Sequence, residues 1–288
     1  MSIAALSCAA VALLAVPASR AETVYVSSAN DGQIIAFTMG GTPTVFANSG
    51  LSWPSGLVSD SARNLYAANS YSFTIQKFTP GGAGSPFAST SLSTPEGLAF
   101  DSAGNLYAAN YGNNTIERFT PGGVGSLFAN TGLSDPWGLA FDNSGNLYVA
   151  NRGNSTIEKF TPGGVPSLFA NTGLNSPTGV AFDSAGNLYA ANNGNNTIER
   201  FTAGGVPSLF ASTGLNAPDG LAFDSAGNLY AANWGDNTVE KFTTTGIGSV
   251  FANTGLNGAT FITIVPEPSA FATFGLACAA LLASRRRR

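Results

Sequence analysis

Apolar residues along this chain come in short bursts separated by Gly, Pro, Asn, Asp and Ser, the residues that favour turns. The stretch G-N-L-Y-A-A-N-Y-G-N-N-T-I-E-R-F-T-P-G-G at 104–123 returns nearly unchanged at 186–205, and its central tyrosine recurs at Tyr25, Tyr66, Tyr107, Tyr148, Tyr189 and Tyr230, always 41 residues apart. One copy divides into four runs. P-x-G-L-A-F-D reads as a buried strand (a), N-L-Y-A-A-N as a second (b), T-I-E-R-F-T as a third (c) and V-P-S-L-F-A as a fourth (d). In strand c the Ile and Phe stand three apart, not two, which predicts a bulge or a local twist. The turn D-S-A-G-N joins a to b, a polar N-G-N-N loop joins b to c, P-G-G joins c to d, and A-N-T-G-L-N-S leads into the next copy.

Four short strands in 41 residues match the blade of a β-propeller. Strand a occurs at Gly56, Gly97, Gly138, Gly179 and Gly220, five times, whereas the b–c–d set occurs six times beginning with Thr23-Val24-Tyr25-Val26. The missing a strand is Thr260-Phe261-Ile262-Thr263-Ile264, in register with Asp219 to Phe223 one period earlier. The expected fold is therefore all-β, a six-bladed propeller with four antiparallel strands per blade. Its ring is closed by strand 260–264 joining the N-terminal strands of 23–47, which leaves no open sheet edge along the seam.

Composition agrees with this reading and narrows the partners. Only 10% of residues are charged, with 35 Gly and 15 Pro. Between residues 22 and 265 seven Lys and Arg remain of twelve, against fifteen of sixteen Asp and Glu, a net charge of −8. That balance excludes nucleic acid, whose phosphates require a basic surface. Cys8 and Cys278 lie outside this body, so it has no thiol, disulfide or cysteine metal site.

The two ends read as processing signals, which divides the chain into 1–21, 22–265 and 266–288. Residues 3–17 form an apolar run, and Ser19 and Ala21 follow at the −3 and −1 positions of a signal-peptide cleavage site before Glu22. No Lys or Arg precedes the run, a departure from the usual signal. At the other end Pro266-Glu267-Pro268 precedes an apolar segment and the arginines 285–288. The apolar segment is short for a full span, and the arginines would stay on the cytoplasmic side. These three parts resemble the PEP-CTERM sorting tail of Gram-negative bacteria. The resemblance implies an exosortase-type membrane protease as partner, membrane attachment through the C-terminal segment before processing, and export across the inner membrane to the cell surface or extracellular matrix.

P-E-G-L-A-F-D-S-A-G-N-L-Y-A-A-N-Y-G-N-N-T-I-E-R-F at 95–119 resembles an NHL repeat, of the kind found in NHL and gluconolactonase-like six-bladed propellers. Residues present in every copy are expected to serve the fold. Asp101, Asp142, Asp183 and Asp224 should cap turns, and Asn69, Asn110, Asn151, Asn192 and Asn233 should be structural. Glu117, Glu158, Glu199 and Glu240 read as solvated charges beside Arg118, Lys159, Arg200 and Lys241.

Function should lie where the copies differ. Antiparallel order puts the b–c and d–a loops on one face. There the x of P-x-G is Ser55, Glu96, Trp137, Thr178, Asp219 and Thr260, and the residue after the strand-b Asn is Ser70, Tyr111, Arg152, Asn193 or Trp234. Glu96 and Asp219 are three repeats apart, as are Tyr111 and Trp234, so each pair should be opposed across the axis. Glu96, Tyr111, Trp137, Arg152, Asp219 and Trp234 thus form the expected binding face, suited to an extracellular polysaccharide or a surface protein. The expected function is that of an exported, monomeric, non-catalytic binding module. The chain has no histidine, so the histidine chemistry implied by resemblance to streptogramin-lyase-like propellers lacks its residues. The alternative is a metal-dependent lactonase: gluconolactonase-like propellers hold a divalent metal with Glu, Asn and Asp, and Glu96 and Asp219 stand at comparable positions. Trp137, Thr178 and Thr260 replace other expected ligands, so no cofactor is expected, with Ca²⁺ the one candidate.

Overall fold

The computed structural model describes residues 21–267 and gathers Glu22–Pro266 into one compact unit. The signal run, Pro268 and the apolar tail lie outside the described residues. Among the described residues no helix is long and apolar enough to cross a membrane.

Six four-stranded antiparallel sheets follow one another. Blades 2 to 6 each use consecutive strands, and their a strands are Pro54–Ser59, Pro95–Phe100, Pro136–Phe141, Pro177–Phe182 and Pro218–Phe223. Blade 1 is composite. Ala259–Pro266 pairs antiparallel with Glu22–Ser28, with Val24 opposite Ile264 and Val26 opposite Ile262, and Gln33–Thr38 and Pro43–Ala47 complete the sheet. The expected closure is observed, two residues longer at the C-terminal end than the 260–264 run.

The core lies between blades. Tyr107, Ala109 and Ile116 of blade 3 pack on Leu139, Leu147, Val149 and Phe160 of blade 4, and Tyr107 meets Phe128 and Phe141 edge-on at 5.0 and 4.9 Å. Such edge-to-face contacts align the ring quadrupoles. The expected irregularity of strand c is a shift in the c–d register at Ile116/Glu117 and its equivalents. A second shift, at the x-G of strand a, was not evident in the sequence.

At that second bulge neighbouring a strands approach closely. A Cβ on Gly97 would collide with the carbonyl oxygen of Trp137, one on Gly138 with that of Thr178, and one on Gly179 with that of Asp219. Glycine lets the inner strands approach backbone to backbone. The sixth equivalent position is Phe261, which is 8% exposed and packs with Leu57 and Val265. The axial space is accordingly two cavities, one lined at the x positions and one lined by Leu57, Leu98, Leu139, Val180, Leu221 and Phe261.

The recurrent polar residues hold loops. Asp101 Oδ1 accepts from the amides of Ala103 and Asn105 at 2.9 and 2.8 Å, and its equivalents do the same. Asn151 donates to Gly132 O and Thr156 Oγ1 at 2.9 and 3.1 Å and accepts from Ser134 N at 3.1 Å. Replacing it by Ala leaves the Ser134 amide and the Gly132 carbonyl without these part-buried bonds and empties a fully buried site, so Asn151→Ala should lower stability by about 1–3 kcal/mol in chemical denaturation. The strand-c glutamates depart from expectation. Glu117 and Glu240 are buried, Glu158 and Glu199 half-buried, and Oε2 of Glu117 and Glu158 has no hydrogen-bond partner. Burial raises all four above the usual carboxylate range. The bulge in strand c turns them beneath the d–a loop, where Glu158 Cδ lies 3.6 Å from a Cβ placed on Gly132. Of the cations expected beside them, the two lysines reach turn aspartates instead, Lys241 to Asp224 at 3.5 Å and Lys159 to Asp142 at 3.9 Å.

Candidate functional site

In five of the six blades the tip of the b–c loop is tied to the residue before P-x-G or its equivalent. The amides of Ser70, Tyr111, Arg152 and Trp234 donate to the carbonyls of Trp53, Thr94, Asp135 and Ala217, each at 3.1 Å. The carbonyl-bearing residues are in the left-handed region, with φ of 53° at Trp53, 47° at Thr94, 48° at Asp135 and 45° at Ala217. Bulky and β-branched residues adopt this conformation at a cost of order 1 kcal/mol, held by the surrounding bonds. The frame therefore fixes two variable positions per blade over the channel mouth.

A cavity of about 280 Å³ occupies that mouth, and Glu96, Trp137, Arg152, Asp219 and Trp234 line it together with Trp53. Five of the six residues expected from the sequence thus share one space. Tyr111 stands behind it, with its ring edge-on to Trp137 at 5.6 Å. The opposition expected between Tyr111 and Trp234 is not a contact: Trp234 meets Trp53 at 5.7 Å, and Trp53 stacks on Tyr71 at 4.6 Å. This row of rings crosses the seam between the last blade and the first two. Gly258 permits it, since a Cβ there would lie 2.7 Å from Trp234 Cζ3. Trp53 and Tyr71 were missed, although the sequence carried a signal. The residue before P-x-G runs Trp, Thr, Asp, Ser, Ala, Gly through the copies, and Tyr71 stands where other copies have Gly112, Gly153, Gly194 and Gly235.

The two acids are buried, Glu96 at 5% and Asp219 at 4% exposure. Ser55 Oγ donates to Glu96 Oε2, and Trp137 Nε1 reaches across two blades to donate to Asp219 Oδ1 at 2.8 Å. Desolvation pushes Glu96 up to about 8, with the nearby Asp219 charge adding to it and Ser55, Ser70 and Arg152 opposing. Desolvation likewise pushes Asp219 up to about 7, against the Trp137 hydrogen bond and the Arg152 charge. The Arg152 guanidinium lies 4.8 Å from the Trp137 ring centre, in cation–π geometry.

Calcium does not suit this set of groups. It wants six or more oxygens. Here two carboxyls face each other, one is engaged by an indole N–H, and a guanidinium lies close by. No cluster of three or more Asp, Glu, His or Cys occurs among the described residues.

Comparison with known proteins agrees on the architecture. Residues 133–160 and 174–201 match the NHL repeat. No curated protein sequence matches the chain. Among solved structures, a chain of a nidogen/laminin complex superposes with a TM-score of 0.77 at 22% identity, covering 85% of this chain and 98% of that one. A virginiamycin B lyase from Staphylococcus aureus gives 0.66 at 18% identity, over 85% of this chain and 88% of the lyase. A gluconolactonase from Xanthomonas campestris gives 0.65 at 18% identity, over 88% and 98%. At these identities the likeness is one of fold, and the fold hosts both partner-binding and catalytic proteins.

Proposed function

We propose that this NHL-repeat propeller is a non-catalytic binding module that docks a protein partner on the face carrying the channel mouth. The observation that carries the reading is the concentration of Trp53, Tyr71, Tyr111, Trp137, Arg152 and Trp234 around one cavity of an otherwise repetitive body. Trp, Tyr and Arg dominate the energetic centres of protein interfaces. Tyr71 and Phe73 extend the row outward at 65% and 46% exposure. The similar chain from a nidogen/laminin complex supports a protein rather than a polysaccharide as occupant. Export is part of the proposal and rests on the apolar N-terminal run and the P-E-P, apolar and arginine segments of the tail. On this reading an exosortase-type protease handles the tail, and the propeller acts at the cell surface or in the matrix.

Crosslinking of purified propeller to the extracellular fraction of its own cells tests the face. Trp53→Ala with Trp234→Ala removes two anchors and should weaken capture of the crosslinked partner by about 100-fold or more. Full capture by the folded double variant would rule the face out.

The lactonase alternative has less to support it. The acids of the mouth lack a metal-binding set, and the chain contains no histidine to act as a general base.

A further inference from the structure

We propose that the cavity between Glu96 and Asp219 takes a primary ammonium group, presented as a lysine side chain of the docked protein. The inference rests on the partner-binding reading above and specifies the chemistry at its centre.

Three polar side chains of the cavity wall spend donors on the frame. Thr178 Oγ1 donates to Pro218 O at 3.0 Å, Thr260 Oγ1 to Pro54 O at 3.2 Å and Asn193 Nδ2 to Pro218 O at 3.5 Å. What these residues have left is acceptor capacity. The carboxyls add more, since each offers about four lone-pair sites. Asp219 receives one side-chain hydrogen bond, on Oδ1, and Glu96 receives one from Ser55 on Oε2, while the Ser70 hydroxyl donates to Pro95 O at 2.9 Å. Acceptor capacity on two acids suits a group that only donates, and an ammonium brings three N–H bonds and no acceptor.

Charge and shape agree with this choice. A bound cation favours the ionised form of both acids, and Glu96, Asp219 and Arg152 then sum to −1, which one monovalent cation balances and a divalent metal overshoots. Arg152 lies over the Trp137 ring and offsets part of the charge of both acids. Trp53 and Trp234 wall the entrance, and their faces suit the methylene stem and ammonium head of a lysine. Neither acid recurs: the equivalent positions in the other four blades are Ser55, Trp137, Thr178 and Thr260. The fold does not need a carboxyl there.

Titration of the folded protein with Nα-acetyl-lysinamide, Nα-acetyl-norleucinamide, glucosamine and Ca²⁺, read by indole NMR shifts, tests the assignment. The lysyl probe should bind at least about tenfold more tightly than the norleucyl probe, and Glu96→Gln with Asp219→Asn should abolish that preference. Circular dichroism confirms that the variant is folded. Equal binding of the two amides, no binding of the lysyl probe at millimolar concentration, or a preference that survives in the variant would overturn the ammonium site. Tighter binding of Ca²⁺ or of glucosamine would overturn it in favour of a metal or an amino sugar. Any of these results leaves the docking face standing if the Trp53/Trp234 variant still loses its partner. Retained capture in that variant removes the face itself.

Discussion

A chain ending at Gly258 should not fold. Truncation there removes the inner strand of blade 1, Ala259–Pro266, and with it the antiparallel ladder to Glu22–Ser28. Ala259, Phe261, Ile262 and Val265 are all less than 9% exposed in the intact ring. Burial of each larger apolar side chain is worth about 1.5–3 kcal/mol. Their loss, together with a bare inner edge on the first strand, exceeds most of the 5–15 kcal/mol that holds a typical domain together. Thermal unfolding followed by circular dichroism should show no cooperative transition. An open array would behave differently, because its repeats contact only neighbours and losing one end costs one interface. A truncated chain with native spectrum and cooperative melting would mean that the ring does not depend on its seam. Gly138→Val tests the same closure from within a blade. Its side chain would strike the Thr178 carbonyl in the next blade, with Val180 N at 3.1 Å, and a loss above about 4 kcal/mol is expected.

The closure was legible in the sequence because it is arithmetic. Five a strands and six b–c–d sets leave one strand to find, and Thr260–Ile264 stands one period beyond Asp219–Phe223. Periodicity also separated frame from site: the turn aspartates and strand-b asparagines hold loops in the structure, as their recurrence implied. It could not give the direction of a side chain displaced by a bulge. The strand-c glutamates look like a solvated charge row in sequence, yet the register shift after Ile116 carries Glu117 inward. The same periodicity sets Phe261 at the position of five glycines, but does not show that its ring packs with Leu57 and Val265.

The site was legible in part for the same reason. Comparing the x of P-x-G across copies finds Glu96, Trp137 and Asp219, since every x position faces the axis. Comparing the residue after the strand-b Asn finds Arg152 and Trp234. Contacts that cross blades are invisible to this method. Trp137 bonds Asp219 two blades away, and Trp234 reaches past Gly258 to Trp53. Both depend on how far a long ring extends over its neighbours, which spacing does not encode.

The propeller should be less stable at pH 8 than at pH 5, and Glu96 with Asp219 should account for most of the difference. Both acids have folded-state values above their ordinary ones, about 8 for Glu96 against 4.5 and about 7 for Asp219 against 3.8. A group raised in this way binds its proton more tightly in the folded state. Its stabilising contribution is complete below the unfolded value and is lost as pH rises through the folded one, here between about pH 4 and 8. Taken singly, each shift corresponds to about 4–5 kcal/mol. The groups packed around the pair are Ser55, Ser70, Trp137 and Arg152, and of these only Arg152 carries a charge. The strand-c glutamates are raised as well and tilt the profile the same way. The comparison that isolates the pair is therefore wild type against Glu96→Gln with Asp219→Asn. The amides keep the shape and never ionise, so the margin of the double variant over wild type should be larger at pH 8 than at pH 5 by about 2 kcal/mol or more. Urea midpoints at the two pH values measure this directly. A parallel shift of both profiles would mean that the carboxyls are already solvated and titrate normally. A variant that gains stability while losing its preference for the lysyl probe would place the pair among sites kept for binding at the expense of stability.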